Sequence, residues 1–161
     1  MKKKVLLNLK PIYNKDSKIL ILGSMPSITS RHNNFYYSHK NNRFWKIMNN
    51  LFNVNLITIN DKTNFLLNNN IALYDIIKEC TIINSKDSTI SNIKLTNIKS
   101  IIKKSNIREI FCLGKLTYTL YKKNFSNLNI PYNYLPSPSS ANANYKLEDL
   151  IIIYNLIKEK L

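Results

Sequence analysis

ILILGSMPSITSRHNNFYYSHKNNRFW, residues 19–45, opens with four consecutive apolar residues, Ile19–Leu22, then glycine. A continuously apolar run this short, closed by Gly23, reads as a strand buried on both faces. After it come twenty residues rich in Ser, Asn, Tyr and His, and a helical pattern resumes only at Phe44. Strand-to-helix links usually take about 2–6 residues. A long polar and aromatic loop at a strand's carboxyl end is where open α/β sheets hold ligands. The stretch therefore predicts both a fold class and the position of an active site.

Outward from it, three further apolar runs read as strands: Ile71–Tyr74, Glu109–Leu113 and Tyr132–Leu135. Helical patterns lie between and after them, at Phe44–Phe52, Lys62–Asn69, Leu95–Lys104, Lys115–Lys123 and Leu147–Lys160. Strands separated by helix-sized patterns predict an α/β chain with a parallel sheet covered on both faces. Asn60-Asp61, with Thr63 and Asn64 as competitors, are candidates to cap the second helix. Glu79–Asn92 reads as a polar loop with a short structured piece near Asp87-Ser88. Length, 161 residues, suits a single domain spanning 1–161. The two glycines, Gly23 and Gly114, each follow an apolar strand, where close backbone approach favours glycine. Gly114 also leaves open backbone N–H groups at a helix start, a place where a phosphate can bind.

A formal charge of +15, from 24 Lys and Arg against 9 Asp and Glu, points to a polyanionic partner. The competing explanation is compositional, since Asn, Ile, Lys and Tyr are the residues of A/T-rich codons. No apolar run approaches the roughly 20 residues of a membrane span. The basic start, Met1-Lys2-Lys3-Lys4, leads into an apolar piece too short for a signal peptide. A cytoplasmic protein that touches no membrane is expected. Cys80 and Cys112 have neither metal-ligand nor redox spacing, so both read as structural, and no metal site is expected.

A second loop, Leu135-Pro136-Ser137-Pro138-Ser139-Ser140-Ala141-Asn142-Ala143-Asn144, follows the fourth strand. Prolines stiffen it, and small hydroxyl residues leave its backbone open to a close partner. The alternative for Pro/Ser-rich sequence is a linker. Its place at a strand's carboxyl end, mirroring the first loop, favours binding.

Four segments together resemble the uracil-DNA glycosylase superfamily, and most closely its hypoxanthine-DNA (deoxyinosine) glycosylase branch. They are GSMPS at 23–27, YYSHKNNRFW at 36–45, ALYDIIKEC at 72–80 and LPSPSSANA at 135–143. The family patterns are GSxPS, YYxHPxNxFW and LPSTSPANA. The chain departs at Lys40, where the family has proline, and at Pro138-Ser139-Ser140, where it has Thr-Ser-Pro. The resemblance implies a three-layer sandwich with a four-stranded parallel sheet, and removal of a deaminated base from double- or single-stranded DNA. It implies neither metal nor organic cofactor, and a monomer is expected.

Such an enzyme must draw its base out of the stack, at a cost of a few kcal/mol. Gly23, Ser24, Met25, Tyr37 and His39 are assigned to the base, with Tyr37 as aromatic floor and Tyr36 next in line. Met25 stands where related branches carry a polar residue that positions water, a task a thioether cannot perform. Asn42, matching the family's HxxN asparagine, is the catalytic candidate; its alternative is to cap the helix at Phe44. His39 is either a donor to substrate or a structural hydrogen-bonder. Asp75 is either a general base or a cap for Ile76–Cys80. Ser27, Lys115, Pro136, Ser137, Pro138, Ser139, Asn142 and Lys146 are assigned to the DNA, although a solvated lysine is the simpler account of Lys115 and Lys146. Three competing readings remain: a uracil- or mismatch-specific enzyme, a non-catalytic nucleic-acid-binding module of this fold, and a protein that binds a free nucleotide.

Overall fold

A computed structural model describes residues 1–83 and 86–161, with Asp87 described by its backbone alone. The strands and helices, in chain order, are β1 (Lys2–Leu6), β2 (Ile19–Gly23), α1 (Ile28–Asn33), α2 (Phe44–Phe52), α3 (Ile59–Asn68), β3 (Ile71–Asp75), β4 (Ile77–Ile83), β5 (Ser91–Leu95), α4 (Ile98–Lys103), β6 (Glu109–Leu113), α5 (Lys115–Phe125), β7 (Tyr132–Leu135) and α6 (Leu147–Glu159).

Strands β3, β2, β6 and β7 form a four-stranded sheet in that order, and every pairing is parallel. All five residues of β2 and of β6 are buried, which is why Ile19–Leu22 and Ile110–Leu113 read as unbroken apolar runs; Glu109 is the buried charged exception. Alternate side chains serve two cores. Ile19 and Ile21 pack with Phe44, Ile47 and Met48 of α2 and Leu150, Tyr154 and Ile157 of α6. Leu20 and Leu22 pack on the opposite face with Ile98 and Ile101 of α4 and Tyr121 and Phe125 of α5. The expected covering of both faces is thus present.

The order 3-2-6-7 makes β2 the point where the chain reverses direction across the sheet. From β2 it goes outward to β3, then returns past β2 to β6. Open α/β sheets leave a crevice at the carboxyl ends of strands flanking such a point. Gly23, Asp75 and Leu113-Gly114 stand at that edge.

Several expectations need correction. Glu79–Asn92 is not a polar loop: β4 and β5 pair antiparallel there, and β1 adds to the other side of β4, Val5 lying opposite Cys80. The pairing of β4 with β5 is irregular on both sides of Glu79. Bulges of this kind break the two-residue alternation by which strands are recognised. Ser88 does lie in a short 3-10 turn, Asp87–Thr89, whereas Asn84 and Ser85 fall outside the described residues. The helix expected from Leu95 begins at Ile98, since Leu95 ends β5. The helix expected from Lys62 begins at Ile59. Thr58 caps it, its Oγ1 accepting the Asp61 N–H at 3.0 Å while the Asp61 carboxylate accepts the Thr58 N–H at 2.9 Å. Residues 28–33 of the first loop are a short helix, α1. Both cysteines are buried, as expected.

Among the described residues no helix is long and apolar enough to cross a membrane.

Candidate active site

A cavity of about 530 Å³ opens at the carboxyl edge of the parallel sheet. Its floor is set by a close approach. A Cβ on Gly23 would lie 2.4 Å from Asp75 Oδ1 and 2.8 Å from the Tyr37 hydroxyl, so only glycine lets both side chains converge over the end of β2. Asp75 is buried at the floor. It caps no helix, because Ile76–Cys80 runs into a strand; its carbonyl oxygen instead accepts the Thr96 hydroxyl at 2.8 Å.

Tyr37 adopts φ 53°, the left-handed region that a bulky side chain enters only under constraint. The constraint is visible. Its ring stacks on Phe44 at 4.3 Å between centroids and 24° between planes, and the next residue, Ser38, donates its N–H to Ser30 Oγ at 3.1 Å. Burial, with the negative charge of Asp75 second, pushes the Tyr37 phenol well above its ordinary range, so it stays neutral. Tyr36 is almost wholly buried, and its hydroxyl donates to the Lys10 carbonyl at 2.7 Å. It is a core residue with an edge on the cavity.

Asn42 lines the cavity just ahead of α2. Its Oδ1 accepts the Phe44 N–H at 2.9 Å, while its own N–H donates to the His39 carbonyl at 2.9 Å. Arg43, not Asn42, is the N-cap residue of α2, yet the Asn42 side chain still takes the helix's first N–H, so serving the helix and catalysis are compatible. The carbonyl half of the amide serves the helix and fixes the rotamer, and the NH₂ half supplies two further donors.

Ser24 and Met25 also line the cavity, as do Ser27 and Ser30 of the first loop. Ser27 caps α1, its Oγ accepting the Ser30 N–H at 3.1 Å. Across the opening, Ser137, Pro138, Ser139 and Asn142 form the other lip. That loop is held by its own hydrogen bonds: Asn142 Nδ2 donates to the Ser137 carbonyl at 3.1 Å, and the Ser139 N–H to Ser137 Oγ at 3.2 Å. Thus the two loops read from sequence do face one another.

Four of the expected residues stand elsewhere. His39 is exposed, and its Nδ1 accepts the Asn41 N–H at 3.1 Å. Pro136 is buried behind the lip, its carbonyl accepting the Tyr154 hydroxyl at 2.6 Å. Lys115 and Lys146 are exposed at the starts of α5 and α6, outside the cavity lining. Gly114, by contrast, lines the cavity at φ 88°, with its N–H given to the Leu135 carbonyl at 2.8 Å.

Arg43 is the residue that sequence reasoning passed over. Its guanidinium spans the gap between the loops, donating to the carbonyls of Ser139 at 2.6 Å, Asn142 at 3.0 Å and Pro138 at 3.2 Å, and to that of Tyr145. Its backbone N–H adds a further bond to Pro138 at 3.0 Å. A planar fork of fixed donors suits this task better than a single ammonium. Arg31, Thr117, Val5, Ile82, Lys86 and Ser88 also reach the cavity without having been expected there.

A chain that buries a neutral phenol and a carboxylate under an aromatic stack, and rings them with amide and hydroxyl donors, can enclose a flat polar heterocycle. Known proteins similar to this chain agree in kind. A curated protein of Methanosarcina acetivorans named hypoxanthine DNA glycosylase is 26% identical over 136 residues, covering 83% of this chain and 86% of its own. One of the same name from Methanosarcina barkeri is 34% identical over 70 residues, 42% of this chain and 44% of its own. A solution NMR structure of a candidate uracil DNA glycosylase from Methanosarcina acetivorans superposes with a TM-score of 0.81 at 24% identity, over 98% of this chain and 99% of that one; it shows the shared fold. The family model for the uracil DNA glycosylase superfamily matches residues 10–156, and the chain belongs to that superfamily.

Proposed function

We propose that this protein is a monofunctional DNA glycosylase that hydrolyses the N-glycosidic bond of deaminated bases in DNA, hypoxanthine foremost, and leaves an abasic site. The observation that carries the reading is Asn42, whose amide is clamped at Oδ1 by the Phe44 N–H on the wall of a cavity floored by Tyr37 and Asp75.

The chemistry follows from that arrangement. An everted nucleotide seats its base against Tyr37, which contributes about 1–3 kcal/mol of stacking. As the bond from C1′ to the base nitrogen breaks, its electron pair moves into the base and positive charge builds on the sugar. The Asn42 NH₂ donates to the base as that negative charge develops, the kind of preorganised donor whose loss typically costs about 10²–10³ in rate. The sugar cation is stabilised by the DNA's own phosphates. Water adds to C1′, and its proton passes to Asp75, the one carboxylate lining the cavity among the described residues. The departing base takes a proton from solvent, which balances the hydrolysis. Lys86 is the one lysine lining the cavity among the described residues, and no motif marks its amine as a nucleophile, so no Schiff-base strand cleavage is assigned.

The protein acts as a monomer on damaged duplex or single strands in this reading. The test is a panel of DNAs bearing one deoxyinosine, deoxyuridine or deoxyxanthosine, with alkali revealing abasic sites. Cleavage of the deoxyinosine strand is expected. Survival of every lesion under a large enzyme excess would leave only a binding module. Asn42→Ala should lower single-turnover cleavage at least about tenfold with DNA affinity nearly unchanged; an undiminished rate removes Asn42 from the mechanism.

A further inference from the structure

The cavity lining extends beyond the base site just described to residues of the second sheet. Val5 of β1 and Ile82 of β4 line it, together with Lys86 and Ser88 from the connection between β4 and β5. Arg31 of α1 lines it too. None of these residues takes part in the chemistry proposed above.

Arg31 and Lys86 are the two cationic side chains that line the cavity among the described residues. The ion pairs among the described residues, which leave out the Asp87 side chain, run from Lys4 and Lys94 to Glu79 and involve neither Arg31 nor Lys86. Arg31 Nε is buried and has no hydrogen-bond partner among the described residues. The helix that carries it is anchored, since Asn8 Nδ2 donates to the Arg31 carbonyl at 3.0 Å and Ser27 caps its first turn. Val5 and Ile82, which line the same cavity, are 5% and 8% exposed, so that part of its lining is apolar. Arg31 is half-buried, and its charge is screened less than one on an open surface.

We infer that Arg31 and Lys86 form a phosphate subsite that seats the backbone of the damaged strand beside the everted nucleotide, on the lip opposite Ser137–Asn142. The inference rests on the glycosylase reading, because an everted nucleotide brings its own flanking phosphates to the rim of the cavity by covalent connection. It adds to that reading a role for the second sheet: β1 and β4 wall the groove through which the strand runs, and the connection after β4 supplies one of its two charges. Phosphate contacts of this kind fix position without reading sequence.

The experiment measures affinity for a short duplex carrying one 2′-fluorinated, cleavage-resistant deoxyinosine as a function of salt. Removing one cation from a phosphate should reduce the slope of log K against log salt by about 0.9. Arg31→Gln and Lys86→Gln are each expected to lower it by about that amount, and the double variant by about twice as much. Arg31→Lys should restore most of the slope. Lys122→Gln, at the far end of α5, is the control and should leave it in place. Slopes unchanged in both variants, or lowered equally by the control, overturn the subsite. Lys86 is exposed, so its substitution keeps the test open if Arg31→Gln folds poorly. With cleavable deoxyinosine at subsaturating enzyme, the subsite variants should lose cleavage in step with the affinity they lose. The slope is also measurable on undamaged duplex, so a protein that cleaves no lesion yet loses slope in these variants would sink the glycosylase reading and leave only a phosphate contact by Arg31 and Lys86, whereas a cleaving protein whose slope is unmoved would sink the subsite alone.

Discussion

Gly23 shows how much of the site rests on one missing methyl group. Its hydrogen lets the carboxylate of Asp75 and the hydroxyl of Tyr37 close over the end of β2, at 2.4 and 2.8 Å from where a Cβ would sit. Gly23→Ala forces one of them aside, and both are packed in place. Overpacking of this sort costs about 1–3 kcal/mol, which for a chain of this size lowers Tm by roughly 3–10 °C. Cleavage should fall with it, because the displaced groups are the floor. An alanine variant with the parent's Tm and rate would show that the floor has slack. Tyr37 separates packing from polarity. Tyr37→Phe keeps the stack on Phe44 and should stay within about 1 kcal/mol of the parent, whereas Tyr37→Ala forfeits the stack at about 2–4 kcal/mol. Since burial and Asp75 both raise the phenol's pKa, it is neutral throughout the working range. The pH profile of cleavage in Tyr37→Phe should therefore keep its shape, and a lost alkaline limb would contradict the neutral phenol.

At the scale of elements, the site is two loops joined by Arg43. Loops carry chemistry best when a rigid scaffold and a few specific bonds hold them. Here four backbone carbonyls of residues 138–145 converge on a single guanidinium. Arg43→Lys keeps the charge and loses the fork. Hydrogen bonds from a charged donor contribute about 1.5–3 kcal/mol each and do not add, so an overall loss of about 2–3 kcal/mol is expected, with proteolysis starting in 136–146. Urea unfolding and limited proteolysis check this; an Arg43→Lys protein as stable and as protease-resistant as the parent would show the tie to be dispensable. The same residue marks the boundary of what sequence reveals. The parallel strands, their order along the chain and the two loops were legible, because apolar runs and the chemical residues that follow them are local. Arg43 was not, since its partners are backbone carbonyls 95–102 positions away and carry no side-chain signature. Strands β1 and β4 were missed for a different reason. Three lysines mask the first, and register shifts on both sides of Glu79 scramble the alternation of the second. With them went the far end of the cavity, including Lys86 and Ser88. The motif leaves His39 open between substrate donor and structural hydrogen-bonder; it stands outside the cavity lining, with its ring nitrogen accepting the Asn41 N–H of a local turn.

On the scale of the whole molecule, the second sheet is packed against the same core that backs the parallel one. Cys80 of β4 and Cys112 of β6 both sit in that layer, along with Leu20, Leu22 and Ile77. The two thiols therefore report on whether the sheets open together. Burial pushes the Cys112 thiol up to about 12, against about 8.5 for an exposed one. Because the thiolate is the reactive form, raising the pKa leaves less of it at pH 8, so the native protein disfavours alkylation through both access and ionisation. Neither cysteine should react with iodoacetamide at pH 8 at a rate near that of the urea-unfolded chain. Cys80→Ser and Cys112→Ser isolate the two reporters. If both label only through global unfolding, their rates should share the urea dependence of the unfolding equilibrium. Faster labelling at Cys80, with a weaker urea dependence, would mean that β1, β4 and β5 lift from the parallel sheet as a separate unit. The groove proposed for the DNA backbone would then be a movable wall, and its salt slope should weaken under the same mild denaturant that exposes Cys80. Prompt labelling of Cys112 in the native state would contradict the packed layer itself, and with it the rigid edge from which Gly23, Asp75 and Gly114 present the site.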